Sequence, residues 1–204
     1  DPPFLVDYDG TNRYDGGEVD IKDATDFFRS VFGNVIHVLA AHAAIYCWHA
    51  DKRAGLIEAI WRELGILDHQ QLIWVKPTAV FGYAFWPWRH EPCLMGWKQG
   101  SKPKHDGVNS HELTSVWEVD WEGSKRIVGN EHPTQKPVEL FARPIRKHTD
   151  PGDVCFEPFS GSGSQLIAAE STGRSLRAIE IEPTFVQLAI DRWEQFTGGK
   201  ARKV

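Results

Sequence analysis

The sequence predicts an α/β fold, a mostly parallel sheet with helices on both faces, and three observations carry that prediction. Apolar stretches of strand length alternate with stretches of helical spacing, glycine or proline marks most of the joints, and one glycine turn leads from a strand directly into a helix. Asp23–Phe32 sets Ala24, Phe27, Phe28, Val31 and Phe32 at helical spacing. AAIYCWHA (43–50) then has the composition of a buried strand, Arg53–Leu64 of a helix closed by Gly65, and QLIWVKP (71–77) of a strand stopped by Pro77. Towards the C-terminus the rhythm resumes. A helix is expected from Pro137 to about Lys147, then a turn at TDPGD and a strand at GDVCFEPF (152–159). SQLIAAES (164–171) follows as a helix ended by Gly173, SLRAIEIE (175–182) as a strand, and PTFVQLAIDRWEQF as a helix with Pro183 in its first turn.

Two stretches fall outside this order. Residues 5–20 are rich in Asp, Gly, Asn and Tyr without a sustained period, which predicts a loop. Residues 77–130 carry Trp86, Trp88, Trp97, Trp117 and Trp121 among Gly, Pro, Lys and Ser; CLMGW within them suits a strand, and 99–113 reads as a mobile polar insertion. The 204 residues are expected to form a single domain, 1–204, with 98–128 as a short insert.

Composition narrows the function classes. Apolar residues make up 41%, as in a globular chain, and no run approaches the roughly 18 apolar residues of a membrane span, so a cytoplasmic protein with no membrane partner is expected. Cys47, Cys93 and Cys155 show no CxxC spacing and are expected as reduced thiols. The nine histidines form neither HExxH nor a paired Cys/His pattern, so no metal is expected. A net charge of −5 counts against a strongly basic nucleic-acid surface, although Lys98, Lys102, Lys104, Arg143, Arg146 and Lys147 are locally basic.

The densest local signal is VCFEPFSGSGSQLIAAESTGRSLRAIEIEP (154–183). A strand runs into FSGSG, a helix follows, and a second strand ends on Glu180. Gly161 and Gly163 permit a tight turn and close backbone approach to a ligand, and a carboxylate at the end of the second strand can accept from ribose hydroxyls. A phosphate loop would need Lys after its last glycine, and a dinucleotide fingerprint would need a third glycine where Leu166 stands. A ligand with a ribose and no phosphate fits better. S-adenosylmethionine is such a ligand, with Glu157 placed to receive its cationic amino group.

The N-terminal DPPF (1–4) is rigid, because adjacent prolines fix two φ angles and remove two donors. With both ends considered together, the chain resembles the permuted β group of DNA amino-methyltransferases, which methylate adenine N6 or cytosine N4. DPPF precedes FSGSG in that family's circularly permuted order, HPTQKPVEL (132–140) matches the segment before its cofactor strand, and WVKP (74–77) and RHEPCLMG (89–96) fall in order between them. The resemblance covers nearly the whole chain. It implies a Rossmann-like S-adenosylmethionine-dependent methyltransferase fold and DNA as partner. Asp1 and the Pro2 carbonyl would accept from the target amino group, Pro3 would keep the loop rigid, and Phe4 would stack on the extruded base. Glu157, Phe159, Gly161, Gly163 and Glu180 would hold the cofactor, with Thr134 and Lys136 at its methionine end. Glu182 is expected to cap the last helix instead.

Departures from the family pattern are Glu157 where Asp is usual and Phe4 where Tyr is usual. The insert, the candidate target-recognition region, is short, so a homodimer, a second subunit, a missing domain or very few base contacts would supply sequence specificity. The DPPF loop should also follow an apolar strand, so an upstream strand is expected outside this sequence, the other case being a free amino group on Asp1 in the pocket. Adenine is preferred over cytosine because the cytosine enzymes more often carry Ser at the position of Asp1. RNA or a protein amide, an oxidoreductase using the same glycine turn, and a degenerate fold kept as a binding module are the rival readings.

Overall fold

The computed structural model describes residues 1–5, 21–80, 85–105, 114–121 and 135–203. Its elements are α1 (Ile21–Val38), β1 (Ala44–Trp48), α2 (Ala54–Glu63), β2 (Ile66–Val80), β3 (Trp88–Lys98), β4 (Val116–Glu118), α3 (Glu139–His148), β5 (Val154–Glu157), α4 (Ser164–Ser171), β6 (Ser175–Ala178) and α5 (Pro183–Thr197). One sheet has the order β1-β3-β2-β4 and a second pairs β5 with β6. The α/β architecture agrees with the sequence prediction, but the sheet is mixed rather than mostly parallel. β3 runs antiparallel to both β1 and β2, while β2/β4 and β5/β6 are parallel. The cause is local: β2 ends at Val80 and β3 begins at Trp88, a separation shorter than the dozen or so residues a parallel crossover needs, so the chain returns antiparallel.

Helices cover both faces because the central strands alternate. Ile45 and Cys47 of β1 and Leu94 of β3 join Phe28, Phe32, Ile57, Ile60 and Trp61 of α1 and α2 in one core. Trp48, Cys93, Met95 and Trp97 face the other way and pack with Leu140, Phe141 and Ile145 of α3 and Ala168 and Ala169 of α4. Burial of each large apolar side chain of this kind stabilises the fold by about 1.5–3 kcal/mol. The tryptophans of the middle segment divide. Trp97 and Trp117 are core residues and Trp121 packs edge-on against Trp74 at 4.9 Å, whereas Trp86 is exposed. The insert thus supplies core packing, and β4 within it is a strand that its short, Trp-rich sequence does not announce. Residues 106–113 and 122–128 of the insert lie outside the described residues, as do 6–20 of the expected N-terminal loop.

Pro77 does not end β2 as expected. The strand continues to Val80, but its ladder with β3 loses register between Val75 and Val80, across the residue that has no N–H to give. The other punctuation falls where expected: Gly65 and Gly173 have φ of 71° and 74°, and the Glu182 side chain accepts from the Thr184 N–H at the start of α5.

Gly96 of β3 is required for the packing of α2. A methyl group there would meet the Leu67 carbonyl and lie 2.8 Å from the Trp61 ring, which is fully buried. Gly96→Ala is therefore expected to destabilise the chain by about 1–3 kcal/mol, read as a lower Tm. An unchanged Tm would show that α2 moves away freely.

Candidate active site

The DPPF loop is pinned from two sides. Arg53, in the single helical turn before α2, donates from Nε to the Leu5 carbonyl at 2.9 Å and from a terminal nitrogen to the same oxygen. Leu5 is held at φ 48°, in the left-handed region that a leucine rarely occupies, so the chain bends sharply just after Phe4. At the other end the Asp1 backbone nitrogen lies 3.5 Å from Glu157 Oε1, at the end of β5. Pro2 is buried and Pro3 exposed.

The Asp1 side chain meets Lys136. Lys136 Nζ donates to Asp1 Oδ1 at 2.8 Å and to Oδ2 at 2.9 Å, and the ammonium lies 5.0 Å from the centre of the Phe4 ring. A cation over an aromatic face contributes about 0.5–2 kcal/mol. Lys136 also reaches Glu91 Oε2 at 3.2 Å, and Lys76 Nζ holds Glu91 Oε1 at 2.6 Å. Lys76 and Lys136 are buried, and Glu91 Oε2 makes no aligned hydrogen bond, meeting Lys136 only as an ion contact. Burial pushes the Glu91 carboxyl up, but the two ammonium groups, Lys136 first, outweigh it and hold the group below the ordinary carboxylate range. The chain Lys76–Glu91–Lys136–Asp1 thus ties β2, β3, the segment before α3 and the DPPF loop together. Lys136, which the family resemblance places at the methionine end of a cofactor, has its Nζ on Asp1 in this structure. Thr134 lies outside the described residues.

The glycine loop sits next to this chain of charges. Gly161 and Gly163 have φ of 49° and 79°, as a tight turn requires. A Cβ on Gly163 would lie 2.7 Å from the Ala189 Cβ, so the close backbone approach at this glycine is made to α5. Glu157 Oε1 accepts from the Phe159 N–H at 2.9 Å, and Oε2 from Gln165 at 3.2 Å. Glu180 Oε2 accepts from the Gly161 N–H at 2.7 Å, while its Oε1 takes the N–H groups of Ile181 and Glu182, both at 2.9 Å. Ser164 Oγ donates to the Lys136 carbonyl at 2.7 Å, locking the lysine segment to the first turn of α4. Arg192 of α5 donates to the Ser162 carbonyl at 2.6 Å.

Two carboxylates at the ends of adjacent parallel strands, with a glycine turn between them, suit a ligand that is cationic and carries hydroxyls. The α5 cation next to this loop, Arg192, is turned onto the Ser162 carbonyl, a poor arrangement for a phosphate. A cleft of about 90 Å³ opens beside Glu157 and Phe159 and is also lined by Asp1, Pro2, Phe32 and Ile45. β1 is paired on its β3 side and β5 on its β6 side, and both strands border this cleft.

Thiol and metal chemistry have little support nearby. Burial pushes the Cys47 thiol up to about 12 and the Cys93 thiol well above its usual value, so both are poor nucleophiles. All three cysteines are free, and among the described residues no group of three or more His, Cys, Asp and Glu could hold a metal ion. No described helix is long and apolar enough to cross a membrane.

Comparison with known proteins gives the constellation a family. The N6/N4 DNA methylase model matches residues 1–191. The chain belongs to that family. Among curated relatives of this DNA methylase, the Type II methyltransferase M2.MboI of Moraxella bovis is 37% identical, the match covering 97% of this chain and 80% of the relative. Among solved structures, the PvuII DNA methyltransferase, described as cytosine-N4-specific, superposes with a TM-score of 0.77 at 18% identity, over 97% of this chain and 81% of that one. A putative DNA modification methylase of Thermus thermophilus, complexed with S-adenosyl-L-methionine, gives a TM-score of 0.63 at 25% identity, over 88% of this methylase and 81% of its own chain.

Sequence reasoning found DPPF, the glycine turn and the two glutamates that flank it. It missed Arg53, Glu91, Lys76 and Gln165, although WVKP and RHEPCLMG carry two of these. Gly163→Ala tests the loop, since it imposes a strained φ and a clash with Ala189. Loss of about 1–3 kcal/mol of stability is expected by thermal melting, and an unperturbed Tm would contradict the packing described.

Proposed function

We propose that this chain transfers a methyl group from S-adenosylmethionine to the exocyclic amino group of a DNA base extruded from the duplex, adenine N6 ahead of cytosine N4. The observation that carries the reading is the meeting of the DPPF loop with the end of β5, where the Asp1 backbone nitrogen lies 3.5 Å from Glu157. The two halves of a methyl-transfer site, an acceptor loop and a cofactor turn, come from opposite ends of the sequence and adjoin.

The cofactor supplies an electrophilic methyl group on a sulfonium sulfur. Glu157 and Glu180 offer the anionic and hydroxyl-accepting groups it needs, and Gly161 and Gly163 give the turn between them. Asp1 accepts an N–H of the target amino group and so turns the nitrogen lone pair towards the methyl carbon, with the Pro2 carbonyl as second acceptor. Phe4 offers a ring for the extruded base, and such stacking contributes about 1–3 kcal/mol towards the cost of unstacking. With the cofactor bound, the C–N bond would form as the C–S bond breaks with its electron pair on sulfur, and the amino group would give its proton to solvent while Asp1 and the Pro2 carbonyl hold the nitrogen in line. Asp1, paired with Lys136, acts as an orienting acceptor in this scheme.

Adenine is favoured by Asp1, where the cytosine enzymes of the resembling family more often carry Ser. The insert around β4 is the candidate target-recognition region, aided by a second subunit or a homodimer partner, and a bacterial cytoplasmic setting follows that of the relatives. Incubation with methyl-labelled S-adenosylmethionine and mixed-sequence duplex DNA is expected to label adenine N6, and Asp1→Ala to lower the rate at least about a hundredfold. Label on cytosine N4, RNA or protein would overturn the adenine assignment. Tight cofactor binding without transfer would favour a binding module.

A further inference from the structure

The Asp1 carboxylate is occupied. Both of its oxygens accept from Lys136 Nζ, at 2.8 and 2.9 Å, so an incoming amino group has to share or displace that ammonium. Glu91 offers the place to which the ammonium can move. Its Oε2 is already 3.2 Å from the same nitrogen, is buried, and has no aligned hydrogen bond. Its other oxygen is fixed by Lys76 at 2.6 Å, and the Lys76 carbonyl is in turn held by Arg89 Nε at 3.1 Å. An acceptor held firmly at one oxygen and under-used at the other is suited to take a donor that shifts by a fraction of an ångström.

We propose that Glu91 is a positioning residue, receiving the Lys136 ammonium when the target amino group takes up the Asp1 carboxylate. This rests on the methyl-transfer reading above and adds the event that frees its acceptor. Moving a buried ammonium without a second carboxylate would leave it uncompensated at large cost. With Glu91 present the cation travels between two carboxylates and stays paired throughout. Lys76 contributes through Glu91: it keeps that carboxylate ionised and aimed. The charged groups facing Glu91 are Lys76 from β2 and Lys136 from the segment before α3, with Asp1 beyond Lys136.

The sign of the pH dependence follows. Glu91 ionises below the ordinary range, so the hand-off is intact at neutral pH and is lost as pH falls through the Glu91 value. Removing Lys76 removes one of the two cations that depress that value, and the loss should then begin at higher pH.

The test compares the unmodified chain, Glu91→Gln and Lys76→Met by turnover on duplex DNA from about pH 3 to 9, a range that spans the depressed Glu91 value, cofactor affinity, and NMR titration of 13Cδ-labelled glutamate. Glu91→Gln should lower kcat about tenfold to a hundredfold and abolish the acid limb, with cofactor Kd unchanged within about twofold. Lys76→Met should move the acid limb up by about one pH unit, and the Glu91 resonance should shift its midpoint in the same direction. The proposal is overturned if Glu91→Gln retains the acid limb, if cofactor affinity falls in step with kcat, or if the Glu91 midpoint ignores Lys76. Absence of methyl transfer by the unmodified chain overturns the parent reading and the hand-off with it. The NMR titration reports separately whether the ion-pair chain exists.

Discussion

The Lys136 ammonium is the group on which the site's geometry depends. It is buried, and a buried cation is tolerated only where carboxylates and hydrogen bonds compensate it. Asp1 and Glu91 supply that compensation from separate parts of the fold. Because Glu91 is fixed by Lys76, and the backbone of the Asp1 loop by Arg53 and Glu157, the cation acts as a joint. It draws the N-terminal loop against β3 and, through the Ser164 bond to its own carbonyl, against the glycine turn. Removing one partner of such a joint costs more than the pair contributes, since an unpaired buried charge remains.

The rest of the architecture serves to bring these elements to one edge. The two cores, on opposite faces of the β1-β3-β2 sheet, fix β3 and hence Glu91, while α4 and α5 fix the glycine turn. The antiparallel return of β3 alongside β2 places Lys76 and Glu91 within ion-pair distance, which two parallel neighbours linked by a helix would reach only through another register. The broken register near Pro77 lies beside that pair.

Much of this could be read in the sequence wherever the deciding physics is local. Glycines that take positive φ, Pro183 and the Glu182 cap, and the spacing of apolar residues in α1 and α2 all declare themselves within a few residues. The helix from Pro137 and the strand at 154–157 fall close to their expected places. Pairings across the sheet were not legible, because they depend on register. Glu91 meets Lys76 from a neighbouring strand, and nothing in WVKP or RHEPCLMG states which residues will lie opposite. β4 was hidden in the same way: its three residues form a strand because β2 offers an edge. The mixed direction of the sheet followed from the short separation of β2 and β3, which a list of elements does not reveal.

Lys136 shows the same limit at the site: its bond to Asp1 joins residues 135 positions apart, and neither motif states that pairing. The most direct measurement is a crystal structure with duplex DNA and a non-reactive S-adenosylmethionine analogue. The expected result is a target amino nitrogen within about 3 Å of the Asp1 carboxylate, with Lys136 Nζ drawn onto Glu91. A base amino group bound to some other acceptor, with Lys136 still on both Asp1 oxygens, would contradict it.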